Sequence, residues 1–428
     1  MPVPVSISAL QEENERLKRA VEELSILNDL ARAIGASINS QEIIQTIVRR
    51  SIRALNAEQG VITLVEEESQ DSMKTLVRTM VSSGDQEQYH FNQTLLGWMH
   101  INKKPLVIND PRNDDRFRGV RWDDSVHSLI SVPMVMKSEL RGVITVYNKK
   151  ENKTFSDNDQ RLLAIIAAQS AQVVENARLN EREQMLMRMQ EEVRLASKIQ
   201  MELLPSSSPD VAGYSVAGRT IPAQVVGGDY FDFIAIDDHR IAVCLGDVTG
   251  KGLPASLLMA NLQATLRSHT LNVESPKLCL ERSNRLLFQS TSPEKFATVF
   301  YAILDSQKHT LFFSNAGQDH PFHISTSKQI QRLKTGGIPL GMLGEFTYEE
   351  ESISLEPGDT LVIYSDGVTE AMNKNGDQFG EERLASVLAT STGDTVDAII
   401  GRIVDAVKQH AGSTPQSDDV TIVVVKRQ

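Results

Sequence analysis

The chain has 428 residues, 40% of them hydrophobic and 23% charged, which suits two or three domains with separate cores. Lysine plus arginine number 44 against 56 aspartate plus glutamate, a formal charge of −12. That excludes the broad basic footprint of nucleic-acid binding and leaves room for carboxylates gathered around cations. Two cysteines, Cys244 and Cys279, without CxxC spacing, exclude a disulfide framework and a cysteine zinc cluster, and a cytoplasmic location is expected. The first residues carry no basic, then apolar, signal-peptide pattern. The longest apolar stretch, Leu162 to Val174, is interrupted by Gln169, Ser170 and Gln172, so membrane insertion is not expected.

Residues 1–34 read as a helix. Leu10, Leu17, Leu24 and Ala31 fall seven apart, and Asn14, Val21 and Asn28 form the partner series. This is a heptad seam with asparagine at two core positions, the pattern of a parallel dimeric coiled coil. The alternative is an amphipathic helix packed on its own domain.

From Ile43 to Leu55 the apolar spacing is helical; strand-like runs follow at residues 60–65, 75–81, 105–108, 128–136 and 142–147. The segments "LGWMHINKKPLVINDPRNDDRF" and "LISVPMVMKSELRGVITVYNKKENKTFSDNDQRLL" resemble a GAF domain over roughly residues 20–175. Asn148, Lys149, Phe155 and Asp159 match most of the NKFD-type motif of cyclic-nucleotide-binding GAF domains, with Gln160 where that motif has glutamate. The same motif also ties a strand end to a helix in GAF domains without known ligands. No cysteine lies in this segment for a thioether-linked bilin, and His90, His100 and His127 are weighed as haem ligands against ordinary polar roles.

A second long helix is expected from about Asp157 to Leu204, started by Ser156-Asp157-Asn158-Asp159 and stopped by Pro205. Met185, Met189, Glu192, Ala196, Ile199 and Leu203 alternate four and three apart, a seam suited to a paired linker. The alternative is a helix folded back on the following domain.

Beyond Tyr214 strands and helices come in clustered runs, the mark of an α+β sandwich. Aspartates stand at strand ends beside glycines: Asp229 after Gly227-Gly228, Asp247 after "IAVCLG", Asp366 after "TLVIYS", and Asp418-Asp419 before "VTIVVV". Hard divalent cations prefer such oxygen ligands, and two of them can activate water for attack on phosphate. A lone Asp-Gly is a common turn; several in register point to a metal site. The run Gly246 to Gly252 is not a P-loop, because its glycine spacing is short and Gly252 stands where Ser or Thr is required. No kinase catalytic-loop motif precedes "SDGV".

In order, "VVGGDYFDF", "GDVTGKGLPASLLMA", "FATVFYAILD", "SNAG", "GGIPLG", "YSDGVTEAMNKNGDQFGEERL" and "SDDVTIVVV" resemble the PPM phosphatases of the bacterial sporulation-protein-E and RsbU type over residues 190–428. The resemblance implies a protein serine/threonine phosphatase using Mn²⁺ or Mg²⁺, two ions or a third in addition, with activated water as nucleophile. Asp247 would bridge both ions, aided by the Val248 carbonyl. Asp366 and Asp418 would complete one site, Asp229 would serve the second, and Asp419 would be an adjacent ligand. Asp232 is expected to be supporting. Gln318 stands where the family often has histidine, leaving the leaving group's proton donor absent or assigned to His320.

The expected fold is α+β: a coiled coil over 1–34, a GAF sensor domain over 35–175, a coiled-coil linker helix over 176–205, and a PPM-type β-sandwich flanked by helices over 206–428. The expected substrate is a phosphorylated regulatory protein, an anti-sigma-factor antagonist with a STAS fold. The expected assembly is a homodimer that receives a small-molecule or protein input at the GAF domain. The rival expectation is a non-catalytic scaffold with a partner-binding phosphatase-like domain.

Overall fold

The computed structural model describes residues 40–67, 73–82, 93–272, 275–292, 294–391 and 393–428, together with Leu10, Glu13 and Asn14. The coiled coil expected over 1–34 lies outside the described residues apart from those three positions, and so does His90. The chain divides into two compact units, Met1–Met187 and Arg188–Gln428.

The first unit begins with helix α1 (Ser40–Leu55) and strands β1 (Ala57–Glu67) and β2 (Met73–Ser82). Helix α2 (Gln93–Asn102) and strands β3 (Leu106–Ile108), β4 (Leu129–Met136) and β5 (Glu139–Lys149) follow. The five strands form an antiparallel sheet in the order β2-β1-β5-β4-β3. Both faces of β4 and β5 are covered, which is why Leu129–Met134 and Gly142–Asn148 are buried without alternation. Ile62, Ile144 and Val146 meet Ile44, Ile47 and Val48 of α1, with Leu163 and Ile166 of helix α3 (Asp157–Leu203). Val61, Val143 and Tyr147 pack on the other side with Leu95 and Met99 of α2. Helix α2 had no clear sequence signal, because Gly97 sits mid-helix and its buried residues do not form a clean stripe.

The Asn-Lys…Phe…Asp motif holds this unit together. Asn148 has a left-handed backbone (φ 51°) and sits at the end of β5. Its side-chain oxygen accepts from the His127 and Ser128 amides at 2.8 and 3.3 Å, and its side-chain nitrogen donates to the Ser125 carbonyl at 2.8 Å and to Glu58 at 3.0 Å. Lys149 pairs with Asp159, and Asp159 accepts from the Ser156 amide at 2.7 Å, closing the start of α3. Ion pairing and these local donors hold the Asp159 carboxyl below its ordinary value despite burial. Every polar atom of the Asn148 side chain is therefore spent on structure. Replacing Asn148 with Ala strands four partners and removes the side chain best suited to a left-handed backbone. The expected cost is about 2–3 kcal/mol, measured by denaturant unfolding of the full chain.

The second unit contains the end of α3 and two antiparallel-rich sheets. Its strands are β6 (Tyr214–Ile221), β7 (Tyr230–Ala235), β8 (Arg240–Val248), β9 (Ala297–Asp305) and β10 (Thr310–Ala316). The remainder are β11 (Phe322–Ile324), β12 (Ile330–Arg332), β13 (Gly336–Gly337), β14 (Glu351–Ser354), β15 (Thr360–Tyr364) and β16 (Val420–Arg427). One sheet runs β13-β10-β9-β8-β7 with β14 also on β10; the other runs β12-β11-β15-β16-β6. Val216, Leu361, Ile363, Val423 and Val425 of the second sheet share one core with Val243, Leu245, Phe300 and Phe313 of the first. Helices α4 (Leu253–Thr270) and α5 (Pro276–Ser290) add Leu262, Leu266 and Leu280 to that cluster. The opposite face of the second sheet, with Val362, Tyr364, Ile422 and Val424, packs on the later helices. After the short helix α6 (Asp366–Thr369) these are α7 (Gly380–Ala389) and α8 (Val396–Ala411). The result is the expected sandwich flanked by helices. Cys244 and Cys279 are buried and free. Among the described residues, no helix is long and apolar enough to cross a membrane.

Candidate active site

Antiparallel pairing gathers the aspartates. The start of β7 lies beside the end of β8, with Tyr230 opposite Gly246, so Asp229 and Asp247 leave the first sheet at the same edge. The end of β15 lies beside the start of β16, with Tyr364 opposite Ile422, so Asp366 and Asp418-Asp419 leave the second sheet together. Strand β8 continues through Asp247 to Val248, further than its apolar run suggested, because Asp247 pairs with Thr298 of β9. Asp366 opens α6 directly after Ser365.

These carboxylates repel one another. Burial, then the charges of Asp366, Asp418 and Asp419, pushes Asp247 up to about 7. Burial, then the charges of Asp418, Glu370 and Asp319, pushes Asp366 up to about 6. Asp229 is fully enclosed and stands well above the usual carboxylate range, chiefly through burial and then the charge of Asp247. Its Oδ2 is buried without a hydrogen-bond partner. An orphaned buried carboxylate oxygen next to raised acids is what a divalent cation would neutralise, so the residues fit a cation. Among the described residues, no three His, Cys, Asp or Glu side chains form a preassembled ligand group.

The loop carrying Asp229 passes very close to the other acids. A Cβ on Gly228 would lie 3.0 Å from Asp247 Oδ1 and 3.1 Å from the Val248 carbonyl oxygen. A Cβ on Gly227 would lie 1.9 Å from Asp419 Oδ2. Asp419 itself faces the backbone: Oδ1 accepts from the Ala223 amide at 2.8 Å, and Oδ2 accepts from the Gly228 and Asp229 amides at 2.8 and 3.3 Å. Asp418 is more open. Lys251 lies 2.9 Å from its Oδ2 and donates to the Ser417 carbonyl at 2.7 Å.

Gln318 joins the two sheets beneath the acids. It accepts from Thr298 Oγ1 at 2.6 Å and donates to the Tyr364 carbonyl at 3.2 Å, while Asn315 fixes its backbone on both sides. Burial and the charges of Arg332 and Lys334 push the His320 imidazole below its usual value, towards the neutral form. Asp232 lies with Arg267 and Tyr230, and these two donate to it at 2.6 Å. Two acids beside Asp366 escaped the sequence reading. Asp319 accepts from Thr369 at 3.2 Å, and both Asp319 and Glu370 raise Asp366. The only hint of Asp319 was its place just past "SNAG".

The raised acids give a pH prediction. Asp247 and Asp366 bind protons more tightly folded than unfolded, so their protonation contributes stability that is present below about pH 4 and lost as pH rises through about 6 and 7. In chelator, the melting temperature should fall between pH 5 and 8, and added Mn²⁺ should reverse more of that fall at the higher pH. A flat profile in scanning calorimetry counts against a coupled carboxylate cluster.

Residues 237–428 match the family described as Stage II sporulation protein E (SpoIIE), and residues 37–175 match the GAF domain. The chain is 29% identical over 238 residues to the phosphoserine phosphatase RsbU of Bacillus subtilis, covering 55% of this chain and 70% of that protein. It is 27% identical over 267 residues to protein IcfG of Synechocystis, covering 55% of this chain but 41% of that one. The solved SiaA-PP2C domain of Pseudomonas aeruginosa shares the fold at a TM-score of 0.50 and 21% identity, covering 57% of this chain and 98% of that domain. Residues 237–428 thus form a SpoIIE-type phosphatase domain, this half of the chain has the PP2C fold, and its relatives include a phosphoserine phosphatase, which indicates a protein serine/threonine phosphatase. Within that class, the chain carries a phosphatase domain of the SpoIIE type behind a GAF domain.

Proposed function

We propose that this phosphatase removes phosphate from a phosphoserine or phosphothreonine of a small regulatory protein, through two Mn²⁺ or Mg²⁺ ions held at the sheet edges. The observation that supports it best is the carboxylate cluster with its unpartnered Asp229 Oδ2 and its raised Asp247 and Asp366. When bound, such cations neutralise phosphoryl charge and make water a better nucleophile near neutral pH. Asp247 and the Val248 carbonyl would face both ions, Asp366 and Asp418 one, and Asp229 the other. Asp419 would act chiefly by holding the Asp229 loop. Gln318 is an amide and cannot deliver a proton, so it positions strands, while Lys251 beside Asp418 is placed to meet an anion.

The name of the RsbU relative supports phosphoserine as the substrate group, and a STAS-fold antagonist remains the expected carrier. The arrangement proposed with it is a coiled coil over 1–34, a GAF sensor domain over 35–175, a coiled-coil linker helix over 176–205 and the phosphatase domain over 206–428, in the cytoplasm. The linker helix leaves Leu179, Met185, Leu186, Met189 and Ile199 about half exposed or more, which supports pairing with a second copy. Incubating the purified chain with a phosphoserine-bearing protein should release phosphate with Mn²⁺ and not with chelator. Release that ignores the metal, or confinement to phosphotyrosine, would sink the proposal.

A further inference from the structure

Gln200 lies in the last turn of α3 and is 8% exposed. Its amide makes two bonds to one residue. Nε2 donates to the Gly227 carbonyl at 2.7 Å, and Oε1 accepts from the Gly227 amide at 3.1 Å. Gly227 cannot hold its place through a side chain, and any Cβ there would strike Asp419. The loop is therefore gripped from two sides. Gln200 holds Gly227 while Asp419 holds the Gly228 and Asp229 amides. The held segment ends on Asp229 and runs against Asp247 and the Val248 carbonyl.

We infer that Gln200 is a positioning residue for the phosphatase reaction, setting the Gly227-Gly228-Asp229 loop and with it the Asp229 side of the metal site. This rests on the metal reading proposed above. It also makes the end of the linker helix part of the site's support, so a shift of that helix reaches Asp229 through one side chain. Only an amide supplies both bonds. Leucine keeps the bulk and offers neither; glutamate keeps the acceptor, loses the donor, and adds charge beside Asp419.

The test uses the full chain and three variants: Gln200→Leu, Gln200→Glu and, as a control on the exposed helix surface, Met201→Ala. Mn²⁺ binding is measured by calorimetry, and backbone amide exchange is followed in chelator. Gln200→Leu should weaken Mn²⁺ binding roughly tenfold or more. It should also raise exchange at residues 227–229 while the strands stay protected. Gln200→Glu should weaken Mn²⁺ binding similarly, and Met201→Ala should match wild type. Unchanged Mn²⁺ affinity and loop exchange in Gln200→Leu overturn the inference, as does exchange raised uniformly across the unit. If the wild type takes up no Mn²⁺, the metal reading falls. Loop exchange then still decides whether Gln200 holds Gly227.

Discussion

Replacing Asp247 with Asn should lower metal-dependent phosphate release by about 1000-fold or more while raising the melting temperature in chelator. The two effects have one cause. Asp247 is mostly buried and faces the charges of Asp366, Asp418 and Asp419, which push its carboxyl up to about 7. Without a cation, that charge opposes the fold. Asparagine keeps the shape and removes the charge, so the apo protein gains stability. It also removes the carboxylate that the proposal places between the two sheet edges, so the proposed ions would lose their shared ligand. Steady-state assays and thermal unfolding on the same preparation check both halves. A variant that stays active, or one that loses activity by unfolding, contradicts the role given to Asp247.

The second large effect concerns folding. Asp232 is fully buried in β7 and receives Arg267 of α4 through two nitrogens, at 2.6 and 3.0 Å, with Tyr230 donating at 2.6 Å. Removing the guanidinium leaves a buried carboxylate with only Tyr230 and the Phe233 amide as donors. Because the Arg267 side chain is itself 49% exposed, the expected loss for Arg267→Ala is about 3 kcal/mol, the low end of the range for breaking a buried pair. Adding Asp232→Asn should recover much of it, since the stranded charge disappears. Urea unfolding of both variants decides the matter. A single variant within 0.5 kcal/mol of wild type, roughly the scatter of a neutral surface change, would remove this pair as the tie between helix and sheet.

What could be read from the sequence was whatever is local. The change of pattern at Tyr214 marked the start of β6, the apolar run before Asp366 marked β15, and an N-cap cluster placed the start of α3. The strand-end aspartates were visible because each follows or precedes such a run. Short strands β11 to β14 were not assigned. With two to four residues each, they carry no period to detect, and they form only because longer neighbours offer a ladder. The division of labour among the acids was hidden for a related reason. Whether Asp419 turns towards a cation or towards the Ala223 and Gly228 amides depends on partners more than 190 residues away. The same holds for Gln200, whose partner is 27 residues on. Gln318 looked like a missing proton donor in the sequence; in the fold, its amide has a task that histidine could not perform in the same way, joining Thr298 to the Tyr364 carbonyl.

The central claim is that Asp229, Asp247, Asp366 and Asp418 hold divalent cations where the two sheet edges meet. Anomalous diffraction from crystals of the wild type grown with Mn²⁺ tests it most directly. Two peaks should appear, one shared between Asp247 and each neighbouring acid, and the shared pair should vanish in Asp247→Asn. Peaks elsewhere on the surface, or none beside these aspartates at saturating Mn²⁺, would contradict the account.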